Sequence, residues 1–544
     1  KTLKEMKYVG AIDQGTSSTR FMVFDESGSV VGSCQMEHEQ HYPQPGWVEH
    51  DALEIWDRTQ SVIAGGLKSA SITASQLSGV GITNQRETTL VWSRKTGRPY
   101  HNAIVWNDVR TAEIAKNLEG KKGQDRFRAL TGLPLASYFS ATKLLWLMDN
   151  VPNLRSDLSS GDALFGTIDT WLMYNLTGGP SSDSALHVTS VCNASRTLMM
   201  NLNTLEWDDG ILKALGVPRE CLPRIVSNSE VYGHGYKGGY LSGVPLCGIL
   251  GDQQAAMFGQ TCYEAGEVKS TYGTGNFVMM NTGRSPVPSK NGLLTTVGYK
   301  LGPSAPPVYA LEGAVAYCGS VVQWLRDNLR LISDASQSEA LAAGAGDNGG
   351  MYFVPAFAGL FAPRWRDDAR GCFVGMTAYN DRGHVCRAAL EAAAYQCKEV
   401  VDAMVKDSGV ALNAMKVDGG MTANGLLMKF QSDILDCPVY RPMVPETTAL
   451  GAAYAAGLAV GVWTDLAEIR AQWRVDQEWK PDMDAKLRAK YWQEWNRAVS
   501  KSVGWVGGGD GSEKEGGGNG WGKVVLFAAL AAGAGFVLGK RKGN

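Results

Sequence analysis

Tyr8-Val-Gly-Ala-Ile-Asp-Gln-Gly-Thr-Ser-Ser-Thr-Arg-Phe-Met-Val-Phe-Asp25, near the N-terminus, carries the pattern that sets the fold. Two apolar arms flank a polar turn, Gln14 to Arg20, that carries Gly15 and the hydroxyls of Thr16, Ser17, Ser18 and Thr19. A further turn at Ser27-Gly28 leads into Val30-Val31, so the pattern predicts a β-meander. The same plan returns at Val268-Lys-Ser-Thr-Tyr-Gly-Thr-Gly-Asn-Phe-Val-Met-Met-Asn281, where a Gly-Thr turn again joins two apolar arms. One architecture is expected to be used twice. The chain has 544 residues, and single cores stop growing at roughly 250–300 residues, so two large domains fit its length.

Between the two meanders, Val244 to Gly251 reads as a buried strand and Asp252 to Gly259 as the start of a helix with the acid at its N-terminus. The domain boundary is placed just after it, giving domains at 1–261 and 262–505. Downstream, Ala388 to Lys406 has helical spacing and Met415 to Gly420 is a short strand ending in a double glycine. Asp484 to Val503 puts Leu487, Tyr491, Trp495, Ala498 and Val499 on one helical face, which should close the second domain. Strands alternating with helices throughout make the fold class α/β.

Composition narrows the function classes. With 44% hydrophobic and 19% charged residues, the chain is globular and not disordered. Fifty-two basic against 54 acidic side chains leave a net charge of −2, so no global field recruits nucleic acid, and a small partner is expected. The ten cysteines include no C-x-x-C pair and fit neither a zinc site nor a disulfide framework, which suits reduced thiols in the cytosol. The N-terminus shows no apolar secretory signal, and the absent initiator Met leaves open that a few residues were trimmed.

Phosphoryl transfer needs backbone N–H groups around phosphates, an acid for the metal and an acid for the attacking hydroxyl. The first turn offers amides around Gly15, Thr16, Ser17 and Ser18, with Asp13 for Mg²⁺ through water and Arg20 for neutralising charge. Such a turn also occurs in hairpins for purely conformational reasons. Gly273-Thr274-Gly275 supplies a second phosphate turn, and Val417-Asp418-Gly419-Gly420 a strand whose glycines let a nucleotide approach the backbone. No P-loop and no dinucleotide fingerprint is present. Asp252 is placed to accept a hydroxyl proton at the positive end of a helix; a simple helix cap is the alternative. Arg86 and Glu87 stand side by side after the apolar Val80-Gly-Ile82. Strand neighbours point to opposite faces, so both reach one ligand only if the strand has ended; an exposed ion pair is the alternative.

From about Tyr8 to Trp505 the chain resembles the FGGY carbohydrate kinases. The likeness rests on Ile12-Asp-Gln-Gly-Thr16, Tyr42-Pro-Gln-Pro-Gly-Trp-Val-Glu-His-Asp51, Gly81-Ile-Thr-Asn-Gln-Arg-Glu-Thr88, Gly251-Asp-Gln-Gln-Ala-Ala256, Thr271-Tyr-Gly-Thr-Gly275, Asn291-Gly-Leu-Leu-Thr-Thr296 and Val417-Asp-Gly-Gly420. It implies two ribonuclease-H-like domains of the actin, hexokinase and Hsp70 kind flanking a central cleft. The Asn-Gln-Arg-Glu-Thr run is similar to the glycerol branch, which implies ATP-dependent phosphorylation of glycerol to sn-glycerol 3-phosphate. The alternatives are another polyol or ketose kinase of the family, or a membrane-docked scaffold without catalysis.

By that resemblance Arg86, Glu87, Tyr138, Asp252 and Gln253 hydrogen-bond the polyol, with Asp252 as base, while Trp106 and Phe277 cover its carbon chain. Asp13 serves Mg²⁺; Thr16, Ser17, Ser18, Arg20 and Thr274 serve the phosphates; Gly319, Gln323, Gly420 and Asn424 serve the rest of ATP. A homodimer stays open. Two departures from the family pattern stand at Asn276 and in Ala362-Pro-Arg-Trp-Arg-Asp-Asp-Ala369, which adds charge near the cleft mouth.

From Gly504 the composition turns to a Gly-rich linker, 506–522, followed by an uncharged run from Val524 to Leu538 and the Lys540-Arg-Lys542 cluster. As a helix that run spans about 22 Å, and about 28 Å if Trp521 and Gly539 mark its ends. The expectation is a C-terminal transmembrane helix within 523–544, anchoring a cytoplasmic enzyme to the mitochondrial outer membrane, with a buried soluble helix as the alternative.

Overall fold

The computed structural model describes residues 6–506. The first sheet is built from β1 (Tyr8–Gln14), β2 (Ser18–Asp25), β3 (Val30–Glu37), β4 (Leu77–Asn84), β5 (Ser229–His234) and β6 (Pro245–Gly251), in the spatial order β5-β6-β4-β1-β2-β3. The meander β1-β2-β3 is antiparallel, and β4 and β6 add on its other side in parallel. Period-two alternation sorts the side chains. Val9, Ala11, Met22 and Phe24 enter one core layer, whereas Ile12, Phe21 and Val23 enter another on the opposite face. Both phenylalanines are fully buried, each contributing about 1.5–3 kcal/mol relative to exposure.

Helix α1 (Ala52–Ala70) covers the second of these faces. Asp51 caps it by accepting from Leu53 N at 2.8 Å, and its buried stripe of Ala52, Ile55, Thr59, Val62, Ile63 and Leu67 has the expected three-to-four spacing.

The second sheet repeats the plan. It contains β7 (Glu267–Tyr272), β8 (Asn276–Gly283), β9 (Leu294–Tyr299), β10 (Val308–Val315), β11 (Ala414–Asp418), β12 (Val439–Pro442) and β13 (Val475–Trp479), ordered β9-β10-β8-β7-β11-β12-β13. β7 and β8 form the hairpin, β10 follows antiparallel, and β11 and β12 add in parallel on the other side. Two helices bridge the repeats. α2 (Asp252–Gly259) follows β6, and α3 (Thr447–Ala459) lies in the core layer of the first sheet although it follows β12. Their approach demands glycine: a Cβ on Gly451 would stand 1.9 Å from Ala255 O, and one on Gly259 2.0 Å from Thr447 O.

The closing helix, Ala485–Ser502, buries Trp495, Ala498 and Val499 and packs Tyr491 partly, but Leu487 is 39% exposed, contrary to expectation. It lies in the first turn, before the helix reaches its partner. Arg364 carries no free charge at a cleft mouth, since it is paired with Glu399 at 2.8 Å and Asn496 at 2.6 Å.

The expected transmembrane helix needs correction. Among the described residues no helix is long and apolar enough to cross a membrane. The longest, Arg382–Ser408, carries Arg387, Glu391, Lys398, Glu399, Asp402 and Lys406 along its length. Val524 to Leu538 lies outside the described residues.

Candidate active site

The β1–β2 turn closes through Gly15 N donating to Ser18 O at 2.9 Å, and the antiparallel register sets Asp13 opposite Arg20. Burial pushes the Asp13 carboxyl up to about 6, Arg20 offsets part of this, and nearby Asp252 adds to it. Thr16 Oγ1 accepts from Trp106 Nε1 at 2.9 Å, which ties the turn to the polyol candidates. Ser18 Oγ accepts from Gln35 Nε2, so its hydroxyl is engaged on the β3 side, and Ser17 is exposed.

β4 ends at Asn84, so Arg86 and Glu87 follow a strand and need not point to opposite faces. Glu87 adopts φ 58°, a left-handed conformation that costs roughly 1–2 kcal/mol for a residue with a Cβ. Both side chains are buried, at 3% and 2% exposure, which excludes a surface ion pair.

Gly251 is the residue before α2, and Asp252 is its first residue, so the acid is not the cap. Asp252 Oδ1 sits 3.2 Å from Arg86 Nε and accepts from Gln253 N at 2.7 Å. Arg86 clamps Glu312 through two nitrogens, at 2.5 and 2.9 Å, and bonds Gln254 Oε1 at 3.1 Å. Glu312 also accepts from Arg196, whose Nε holds Glu87 at 2.5 Å.

The Arg196 guanidinium lies over the Tyr138 ring at 5.6 Å. Tyr138 meets Trp106 edge-on at 5.7 Å, and Trp106 meets Phe277 at 6.3 Å. The Phe277 carbonyl accepts from Lys269, whose ammonium also bonds Gln253 Oε1, and so the contacts close into a ring. All seven polyol candidates belong to it.

The charges in this ring compensate. Burial alone would raise the Glu312 carboxyl, but Arg196 and Arg86 outweigh it and bring it down to about 2. Burial raises Glu87 above the usual carboxylate range, with Arg196 and Arg86 offsetting part. Burial also pushes Tyr138 up, with Glu87 adding, so its hydroxyl remains a neutral donor. A buried ion network of this kind contributes little net stability but fails badly when one member is lost.

The nucleotide candidates gather elsewhere along the second sheet. Gly273 N donates to Gly275 O at 2.9 Å, Cys318 N and Ser320 N donate to Thr274 O, and Gly319 N donates to Gly273 O. This seats the N-terminus of helix Gly319–Asp327, with Gln323 one turn on, directly on the turn. A Cβ on Gly319 would fall 2.5 Å from Gly273 O, and one on Gly419, at φ +91°, 2.4 Å from Tyr272 O. Gly420 is exposed beside them, while Asn424 Oδ1 is taken up in capping Leu427 N of helix Gly425–Leu435. Asn276, next to the turn, is buried and accepts from Ser270 Oγ at 2.8 Å.

Glu312, Arg196, Gln254 and Lys269 belong to the site and escaped the sequence reading. A signal existed for three of them. Glu312 is the lone charge in β10, Arg196 the lone charge between Val188 and Asn201, and Lys269 the lone cation of β7, at a fully buried position. Charges in such places must be paired.

Two family models match this chain: the FGGY family of carbohydrate kinases, N-terminal domain, over residues 8–259, and its C-terminal domain over residues 268–460. The chain belongs to the FGGY family of carbohydrate kinases. Among FGGY relatives, a glycerol kinase of Chloroflexus aggregans is 60% identical over 500 residues, covering 92% of this chain and 99% of that protein. Glycerol kinase 2 of Streptomyces avermitilis is 58% identical, covering 92% and 97%. In structure, Plasmodium falciparum glycerol kinase with ADP superposes with a TM-score of 0.86 at 40% identity, covering 92% of this chain and 98% of that one. A xylulose kinase of Lactobacillus acidophilus, with a TM-score of 0.80 at 21% identity, shows the shared FGGY fold alone.

These FGGY relatives also correct the expected location. The relatives at 58–60% identity are bacterial glycerol kinases, and among the described residues no helix is long and apolar enough to cross a membrane. The mitochondrial anchor is therefore set aside.

Proposed function

We infer that this chain is an ATP-dependent kinase that transfers the terminal phosphoryl group to a primary hydroxyl of glycerol. One observation carries the reading: the closed ring from Asp252 through Arg86, Glu312, Arg196, Tyr138, Trp106 and Phe277 to Lys269 and Gln253, with Glu87 held on Arg196. A small polyol needs every buried hydroxyl paired and an apolar wall for its C–H face, and the ring combines charged groups with three aromatic rings. The names and identities of the relatives support the same substrate.

In this reading residues 1–261 form the polyol- and phosphate-binding domain and 262–505 the nucleotide-binding domain. Arg86, Glu87, Tyr138, Asp252 and Gln253 pair the hydroxyls, and Trp106 and Phe277 cover the carbons. The Arg86 ion pair and the Gln253 N hydrogen bond both fall on Asp252 Oδ1, which leaves Oδ2 to accept the proton of the attacking hydroxyl. Arg86 holds that carboxylate in place. Thr16, Ser17, Ser18, Arg20 and Thr274 receive the phosphates, Ser17 and Ser18 through backbone amides. Gly319, Gln323, Gly420 and Asn424 border the nucleoside, with Asn424 acting through the loop it caps.

Mg²⁺ fits beside Asp13, whose burial-raised carboxyl gains from a cation's charge. Asp13 would hold the ion through water, with the phosphates as its other ligands. The bound ion would neutralise phosphate charge.

ADP release measured across glycerol, dihydroxyacetone, xylulose and ribulose tests the substrate. Glycerol should give the highest kcat/KM; a pentulose preferred over glycerol overturns the reading.

A further inference from the structure

Lys269 lies on β7, in the second sheet, yet reaches Gln253 on α2, which follows the first. It is fully buried at 0% exposure. Its ammonium has three protons and meets three acceptors: Gln253 Oε1, Thr271 Oγ1 at 3.0 Å and Phe277 O at 3.3 Å. An ammonium carries donors only, so an amide against it must turn its oxygen inward. The orientation of the Gln253 amide is therefore fixed by chemistry, with the NH₂ group turned away from Lys269.

We propose that Lys269 is a positioning residue of the polyol pocket, locking Gln253 so that its NH₂ donates to a substrate oxygen while the Phe277 backbone is held from the same point. The proposal rests on the reading of Gln253 as a polyol ligand. It gives the pocket a division of labour: Arg86 and Gln253 donate, Glu87 and Asp252 accept. A freely turning amide at Gln253 would offer donor and acceptor alike and lose that match.

The titration of Lys269 adds a readout. Burial draws its ammonium down to about 8, against the opposing pull of Asp418, Glu312 and Asp252, with Arg86 adding to the fall. Above that pH the neutral amine gains a lone pair and loses a donor, and the amide lock loosens. In the wild type kcat/KM for glycerol should fall as pH rises through about 8, and Lys269→Met should lack that limb.

The experiment measures ADP release by the full chain against glycerol and against ATP for Lys269→Met, Gln253→Ala and the double variant. Lys269→Met should raise KM for glycerol about tenfold or more, the effect of losing a charged hydrogen bond, and change KM for ATP less than twofold. The double variant should be no worse than Gln253→Ala. A normal glycerol KM in Lys269→Met beside a raised one in Gln253→Ala overturns the Lys269 role and leaves the polyol reading intact. A normal glycerol KM in Gln253→Ala defeats that underlying reading instead. A raised ATP KM alone makes Lys269 a phosphate contact and overturns the proposal. Should Lys269→Met fail to fold, Lys269→Gln retains an amide donor for Gln253 Oε1. Its glycerol KM should then lie between wild type and Gln253→Ala, and a wild-type value overturns the proposal.

Discussion

Glu312→Gln turns the carboxylate that bridges Arg86 and Arg196 into an amide of nearly the same shape, leaving two buried guanidinium groups short of one counter-charge. Its cost follows from the acidity of the carboxyl, held at about 2 against an ordinary 4.5. At roughly 1.4 kcal/mol per pH unit, that difference amounts to about 3 kcal/mol of stability near neutral pH. Removing one member of a buried ion pair gives a similar figure, about 3–5 kcal/mol. The sign is that of a depressed carboxyl: the contribution is complete above pH 4.5 and is lost as pH falls toward 2. Equilibrium urea unfolding of wild type and variant should show a gap of about 3 kcal/mol near neutrality, closing between pH 4.5 and 2. The glycerol KM should rise as well, because Arg86 loses its clamp. A gap below about 1 kcal/mol, or one that does not narrow with acid, would mean that Glu312 is not the counter-charge of Arg86 and Arg196.

Arg86→Ala should raise KM for glycerol far more than KM for ATP, since it unpairs the polyol and leaves the phosphate turns intact; steady-state kinetics showing equal weakening toward both would remove Arg86 from the polyol pocket. Gly451→Ala places a Cβ 1.9 Å from Ala255 O and must push α2 and α3 apart, so urea unfolding should report a loss of roughly 1–3 kcal/mol or more. Gly344→Ala meets open space within helix Gln337–Gly344 and should be neutral or slightly stabilising. Similar losses in both glycine variants would show that helix contact is not the cause.

The twofold use of one hairpin plan was readable because a β-meander leaves a local signature of alternating apolar arms and a hydroxyl-rich turn. The start of α2 at Asp252 was likewise visible, because a strand run and a helical run abut there. The ring was only half legible. Its polyol ligands lie in short runs with recognisable spacing, whereas Glu312 meets Arg86 across 226 residues and Arg196 meets Glu87 across 109. No local pattern encodes such pairings; they arise when β10 brings its lone carboxylate beneath the end of β4. The exposure of Leu487 shows the converse, a periodic stripe that extends one turn past the surface it packs on.

Asp252 is assigned to take the proton of a glycerol hydroxyl as the phosphoryl group arrives. Single-turnover transfer from radiolabelled ATP to glycerol, compared between wild type and Asp252→Asn, tests it most directly. Both should yield labelled glycerol phosphate, with the variant slower by roughly 10²–10⁴ while binding of ATP is retained. Transfer at a near wild-type rate by Asp252→Asn would contradict it.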